Sequence, residues 1–223
     1  MNERERPIVL PGELLSEREG KKIGENVYEE NGKVFSKVIG IPRITESEIS
    51  VIALSGKYIP KIGDRVIGTI IGVEISGWVV DINSPYTAFL PLGEAVEEFV
   101  DTSRVDISKY YDVNEIIFCR ISKVTKNKIV QVSMHDLHAK KLVGGVLVKI
   151  TPSKVPRVIG KGGSMVNLIK NKTNCELLVG QNGVIWVKGR DMSKAIEAIL
   201  LIEKESHIIG LTEKVERMFG EEK

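Results

Sequence analysis

The run Val158-Ile159-Gly160-Lys161-Gly162-Gly163-Ser164 places three glycines and a lysine immediately ahead of a stretch that reads as helix. Glycines let another backbone approach closely, and the first N–H groups of a helix lack intrahelical partners, so the combination suits an anion such as a phosphodiester. Lys161 supplies a cation at the tip, and Lys154, Arg157, Lys170 and Lys172 surround the loop in sequence. Two other glycine-loop chemistries fail on spacing. A Walker A loop needs a glycine five residues before its Gly-Lys pair and Ser or Thr after the lysine, where Gly162 stands. A dinucleotide fingerprint needs a third glycine where Met165 stands.

Catalysis has no comparable centre. His135-Asp136-Leu137-His138 has a metal-like look, but two histidines three apart leave a zinc set incomplete, and the segment reads as surface or an inter-domain joint. No Ser–His or Cys–His constellation stands out, and Glu97-Glu98 lies in a polar segment without two-metal spacing. No catalytic residue, metal or cofactor is therefore expected. The only two cysteines, Cys119 and Cys175, sit in apolar runs and read as buried free thiols in a reducing compartment. Met1 to Pro7 is charged, without an apolar signal core, and no later stretch reaches a membrane span, so a cytoplasmic protein with no membrane partner is expected.

Charge locates the candidate ligand. The chain of 223 residues carries a formal net charge of +2, yet residues 139–190 hold ten Lys or Arg against the single acid Glu176, a local charge of +9. A basic segment in an otherwise acidic chain points to a polyanion, which would release condensed counterions on contact. With 42% apolar residues the chain has enough material for two or three small cores.

These residues need elements to hold them. Residues 1–60 read as short strands, with Glu30-Asn31-Gly32-Lys33 an Asn-Gly hairpin signal between Asn26-Val27-Tyr28 and Val34-Phe35. Residues 61–138 carry five apolar strand patterns, Val66 to Val73, Trp78 to Ile82, Ala88 to Leu92, Ile116 to Val124 and Ile129 to Ser133. An acidic, partly helical stretch, Glu94 to Asp106, falls between the third and fourth, as in a five-stranded OB barrel. Residues 139–223 read β-α-α-β-β-α: a strand at Val146 to Ile150, a short helix at Val155 to Ile159, the glycine loop, and a helix from Ser164 to Lys172. Strands follow at Glu176 to Val179 and Val184 to Val187, with Gly180-Gln181-Asn182-Gly183 as a turn between them. Asp191 is the expected N-cap of a helix bearing Ala195, Ile196, Ile199, Leu200 and Ile202, and Thr212 to Phe219 adds an amphipathic turn or two.

The order of elements around Gly160-Lys161-Gly162-Gly163 resembles the KH domain, over about residues 144–205, in which a GxxG loop clamps about four nucleotides of backbone. Gly63 to Gly68, Ser76 to Ile82 and Phe89-Leu90-Pro91 resemble the S1 type of OB fold, over about residues 62–135, which stacks single-stranded bases on aromatics. This chain departs from that pattern: Ser76 and Val79 stand where aromatics are usual, and Pro91 where a histidine is common. Trp78 shares parity with Val80 and Ile82, which favours a core position, with a base contact as the alternative. Arg65, Arg120 and Lys123 are candidate phosphate contacts.

A small all-β piece containing Ile8-Val9-Leu10-Pro11-Gly12-Glu13, then an S1 barrel, then one KH domain resembles the S1/KH cap subunit of the archaeal RNA exosome. That resemblance implies a non-catalytic subunit that binds single-stranded RNA. It also implies that the chain sits with other cap subunits on a hexameric ring of RNase PH-like subunits, through its N-terminal piece, and guides RNA to phosphorolytic 3′–5′ degradation. Two other readings exist. A NusA-like transcription or translation factor usually carries further KH copies and a different element order. A polynucleotide phosphorylase needs catalytic domains too large for this chain.

Overall fold

The computed structural model describes residues 8–96, 106–206 and 210–220. They form two compact units, divided between Gly56 and Lys57.

The first unit is all-β. Its strands are β1 (Leu14–Glu17), β2 (Lys22–Ile23), β3 (Val27–Glu30), β4 (Lys33–Ser36), β5 (Gly40–Ile44) and β6 (Glu48–Ala53), in two three-stranded sheets ordered β1-β4-β3 and β2-β6-β5. The Asn-Gly signal forms the β3–β4 hairpin. Asn31 and Gly32 have φ of 51° and 74°, the left-handed pair that a two-residue turn of matching twist requires. Val9, Val27, Val34, Ile49 and Val51 make the small core.

The second unit contains the other two expected folds. Strands β7 (Arg65–Glu74), β8 (Gly77–Asp81), β9 (Ala88–Pro91), β10 (Ile116–Val124) and β11 (Val130–Ser133) run in the order β11-β9-β8-β7-β10, and β11 pairs again with β10, closing a five-stranded OB barrel. A four-residue helix, α1 (Leu92–Ala95), follows β9, and a 3-10 turn, Ile107–Lys109, precedes β10. Glu97-Glu98 and most of the acidic stretch lie outside the described residues. The second domain is β13 (Val146–Lys149), α2 (Val155–Ile159), α3 (Ser164–Thr173), β14 (Cys175–Val179), β15 (Val184–Gly189) and α4 (Met192–Lys204), with sheet order β13-β15-β14 under the helices: a KH domain. Asp191 occupies the N-cap of α4, but its side chain makes no capping hydrogen bond. The tail forms more helix than its sequence suggests, α5 (Leu211–Gly220), because Leu211 and Val215 join the KH core.

Barrel and KH domain share a second core. Along β7 and β10, Val66, Ile70, Ile117, Cys119 and Ile121 face inward, while Ile67 and Phe118 point outward and pack with Leu142, Val184 and Trp186. The connecting segment contributes a strand, β12 (Lys140–Leu142), paired antiparallel with Ile116 to Phe118 of β10, so the linker extends the barrel's own sheet. Asn182 seals the seam. Fully buried, it donates from Nδ2 to the carbonyls of Ile67 and Ile82, both at 2.8 Å, and accepts from the Ile67 N–H at 3.3 Å. The Gln181 N–H donates to the Arg65 carbonyl at 2.9 Å, and Asn83 Nδ2 to the Asn182 carbonyl at 3.0 Å. The turn between β14 and β15 is thus inserted against β7 and β8, with its backbone and amide groups satisfied there.

Candidate nucleic-acid interface

The glycine loop has a conformation that demands its glycines. Gly160, Gly162 and Gly163 have φ of 74°, 61° and 82°, and Gly163 is the left-handed N-cap of α3 with no side chain capping the helix. Gly160 is also packed tightly: a Cβ there would lie 2.7 Å from the Met165 nitrogen and 2.8 Å from Ser164 Oγ. Gly162 is different, since nothing lies within 4 Å of its would-be Cβ. One glycine closes the turn onto α3, and the other presents bare backbone to the outside.

Lys161, Gly162 and Ser164 are exposed at the loop, and Arg157 is exposed on α2 just before it. The remaining candidates divide. Lys170 and Lys172 lie in the last turn of α3, six to eight residues from Ser164, or about 9–12 Å along the axis at 1.5 Å per residue. They complement the negative end of the helix dipole rather than crowd the loop. Lys154 is half-buried, and its Nζ donates to the Glu203 carbonyl at 2.9 Å. Its neighbour Thr151 uses N–H and Oγ1 on the Glu203 carboxylate at 2.7 and 2.9 Å. Lys154 therefore ties the start of α2 to the end of α4, a role that adjacency in sequence could not separate from ligand binding.

On the barrel, Trp78 as a base contact is corrected. It is fully buried, its Nε1 donates to the Tyr111 carbonyl at 2.7 Å, and the Tyr111 ring packs edge-on at 5.3 Å between centroids. Strand parity decides this, because Trp78 and Val80 point into the barrel and half-exposed Val79 points out. Val79 registers with Phe89 of β9, an outward, half-buried aromatic. Phe89 thus gives the outer face of β9 a half-buried aromatic. The alternation of buried Ala88 and Leu90 around it was the signal available in the sequence. Arg65, Arg120 and Lys123 are all exposed, and Arg65 registers directly with Arg120 across β7 and β10.

The histidine cluster does not assemble as a metal site. No group of three His, Cys, Asp or Glu that could hold a metal occurs among the described residues. Asp136 instead accepts the His138 N–H at 3.0 Å and pairs with Arg65, interactions that hold its carboxyl below the usual carboxylate range, the backbone N–H contributing most. Both cysteines are buried and free, and burial pushes the Cys119 thiol up to about 12. No helix among the described residues is long and apolar enough to cross a membrane.

A glycine-opened helix in a β-α-α-β-β-α domain, sealed through β12 and Asn182 to a closed OB barrel, defines an S1–KH protein with a separate all-β N-terminal unit. Residues 6–55 match a family model described as the exosome RNA binding protein RRP4 N-terminal domain, residues 57–123 one described as the RRP4 S1 domain, and residues 145–192 one described as a KH domain. The chain belongs to the Rrp4 family of exosome complex components. It is 44% identical over 218 residues to exosome complex component Rrp4 of Pyrococcus abyssi, covering 96% of this chain and 82% of that one. It is also 44% identical over 214 residues to that of Methanothermus fervidus, covering 95% and 94%. A solved chain described as a candidate exosome complex RNA-binding protein superposes with a TM-score of 0.69 at 32% identity, covering 74% of this chain and 97% of that one.

Proposed function

We propose that this chain is a non-catalytic, cytoplasmic RNA-binding cap subunit of an archaeal exosome. It captures single-stranded RNA and delivers it to a hexameric ring of RNase PH-like subunits that degrades RNA phosphorolytically in the 3′–5′ direction. The observation that carries the reading is the glycine loop itself: bare Gly162 backbone, the Lys161 cation and uncapped α3 N–H groups converge in a segment of local charge +9. Family membership supports the assembly part of this reading, since the relatives carry the name exosome complex component. Exposed Arg157, Lys161, Arg65, Arg120 and Lys123 are the phosphate contacts, and with a sparse aromatic surface, binding is mainly electrostatic and tolerant of sequence.

The test is Lys161→Asp, assayed by fluorescence anisotropy on a single-stranded oligonucleotide across a salt series. The expected result is weaker binding, with the salt slope shallower by about 0.7 for each phosphate no longer neutralised. Unchanged affinity and slope would remove the loop from the interface. Mass measurement of the native assembly tests the cap role independently: a lone monomer in the presence of ring subunits would overturn it.

A further inference from the structure

The geometry points to a second phosphate site at the seam between barrel and KH domain, made by Arg65 and Arg120, with Asp136 occupying part of it until RNA arrives. The inference rests on the RNA-binding reading above, and it says where a strand leaving one module meets the other.

Three observations carry it. First, Arg65 and Arg120 are directly registered on adjacent antiparallel strands, and both point to the outer face of the barrel. Like charges directly opposite each other disfavour a sheet unless an anion sits with them. Second, the pair lies at the rim of the inter-domain core. One step back along the same face, Ile67 registers with Phe118, and those two are covered by Val184 and Trp186 of the KH domain. The KH turn touches Arg65 itself, through the Gln181 N–H on its carbonyl. Third, the compensation is incomplete. Asp136, in the segment joining the domains, engages Arg65 in a fork, Nε to Oδ1 at 3.1 Å and Nη2 to Oδ2 at 3.3 Å. Arg120 makes no ion pair or side-chain hydrogen bond among the described residues.

A two-oxygen fork on the Nε–Nη2 edge is the geometry by which a guanidinium also holds a phosphate. Asp136 therefore stands where a phosphodiester's oxygens would sit. Its side chain is 9% exposed and that of Arg65 45%, so the carboxylate lies inside and the guanidinium faces solvent. An arriving phosphate meets the unpaired Arg120 first and then competes with Asp136 for Arg65. Asp136 acts as a resident competitor that sets the affinity of the seam without touching RNA.

The experiment uses the full chain and a fluorescently labelled single-stranded oligoadenylate, comparing Arg120→Gln, Asp136→Asn and the double variant Arg65→Gln/Asp136→Asn. The Asp136→Asn side chain keeps an oxygen for the His138 N–H, so the linker turn survives, and a thermal melt on each variant checks the fold. Arg120→Gln should weaken binding roughly 3- to 10-fold and flatten the salt slope by about 0.7. Asp136→Asn should tighten it about two- to fivefold, the competition for the solvent-facing Arg65 guanidinium being released. The double variant should lose that gain. Unchanged or weaker binding by Asp136→Asn overturns the proposal, as does a gain that persists without Arg65. Inorganic phosphate at matched ionic strength should leave RNA affinity unaltered, and displacement by it would assign the site to free phosphate. Lys161→Asp separates the two readings: if it weakens RNA binding while Arg120→Gln and Asp136→Asn do nothing, only the seam site falls. If the wild-type chain binds no RNA, the functional reading itself falls.

Discussion

Replacing Asn182 should cost more stability than its place in a polar turn suggests. Asn182→Ala removes three hydrogen bonds at a fully buried position and strands the Ile67 N–H and the Ile67 and Ile82 carbonyls. A broken bond that leaves its partner buried and unpaired costs about 1–3 kcal/mol, so the three together, with partial relaxation, come to about 3–5 kcal/mol. For a unit of this size that lowers the melting midpoint by about 10 °C. Asn182→Asp isolates the chemistry from the packing, because the shape is kept while a carboxylate replaces the amide that donates to two carbonyls. The folded state then favours the protonated acid, and its pKa is raised above the unfolded value of about 3.9. Relative to wild type, stability is best retained below that unfolded value. It falls as pH rises through the window up to the folded pKa, and stays low above. Urea unfolding of wild type and both variants at a series of pH values measures this. An Asn182→Ala loss under about 1 kcal/mol, or an Asn182→Asp deficit that does not shrink on acidification, would refute the claim that these bonds hold the seam.

Two further outcomes follow from the same geometry. Gly160→Ala should destabilise the KH domain by about 1–3 kcal/mol, since its φ of 74° and a Cβ contact of 2.7 Å both oppose it. Gly162→Ala faces only the left-handed backbone cost of about 1–2 kcal/mol, so thermal melts should rank Gly160→Ala as the worse of the two while both weaken RNA binding. Cys119, raised to about 12 by burial, should resist alkylation at pH 8 in the folded protein and react on unfolding. Its contribution to stability should be intact below the unfolded thiol pKa and lost as pH climbs toward 12; rapid alkylation without denaturant would contradict this burial.

Periodicity and turn chemistry made much of the architecture readable. Asn31-Gly32 specified its hairpin because two left-handed residues are a local requirement, and the barrel strands were marked by alternating apolar residues. The glycine loop was legible for the same local reason. What the sequence hid was long-range. Asn182 reads as one more turn residue, and only the approach of β7 and β8, about a hundred residues earlier in the chain, turns it into a buried bracket. Lys154 and Arg157 are equally basic and adjacent to the loop, yet Lys154 faces the Glu203 carbonyl and Arg157 faces solvent. Trp78 could not be settled from parity until the outward residues of β8 were known, and Lys140 to Leu142 were too short and too charged to announce a strand.

That short strand has a mechanical consequence. Two binding modules on a flexible tether search for the second contact, with an effective concentration set by tether length. Here β12 is hydrogen-bonded to the barrel, and the three residues between it and β13 are pinned, the Val143 and Gly144 carbonyls accepting from Lys188 Nζ at 2.8 Å and Trp186 Nε1 at 2.7 Å, so the tether is short and held. The shared core and the Asn182 bonds hold the glycine loop and the barrel's arginines on one continuous unit. On the RNA-binding reading proposed above, a strand long enough to reach from one to the other would gain the second contact at little ordering cost, and a shorter one would gain nothing.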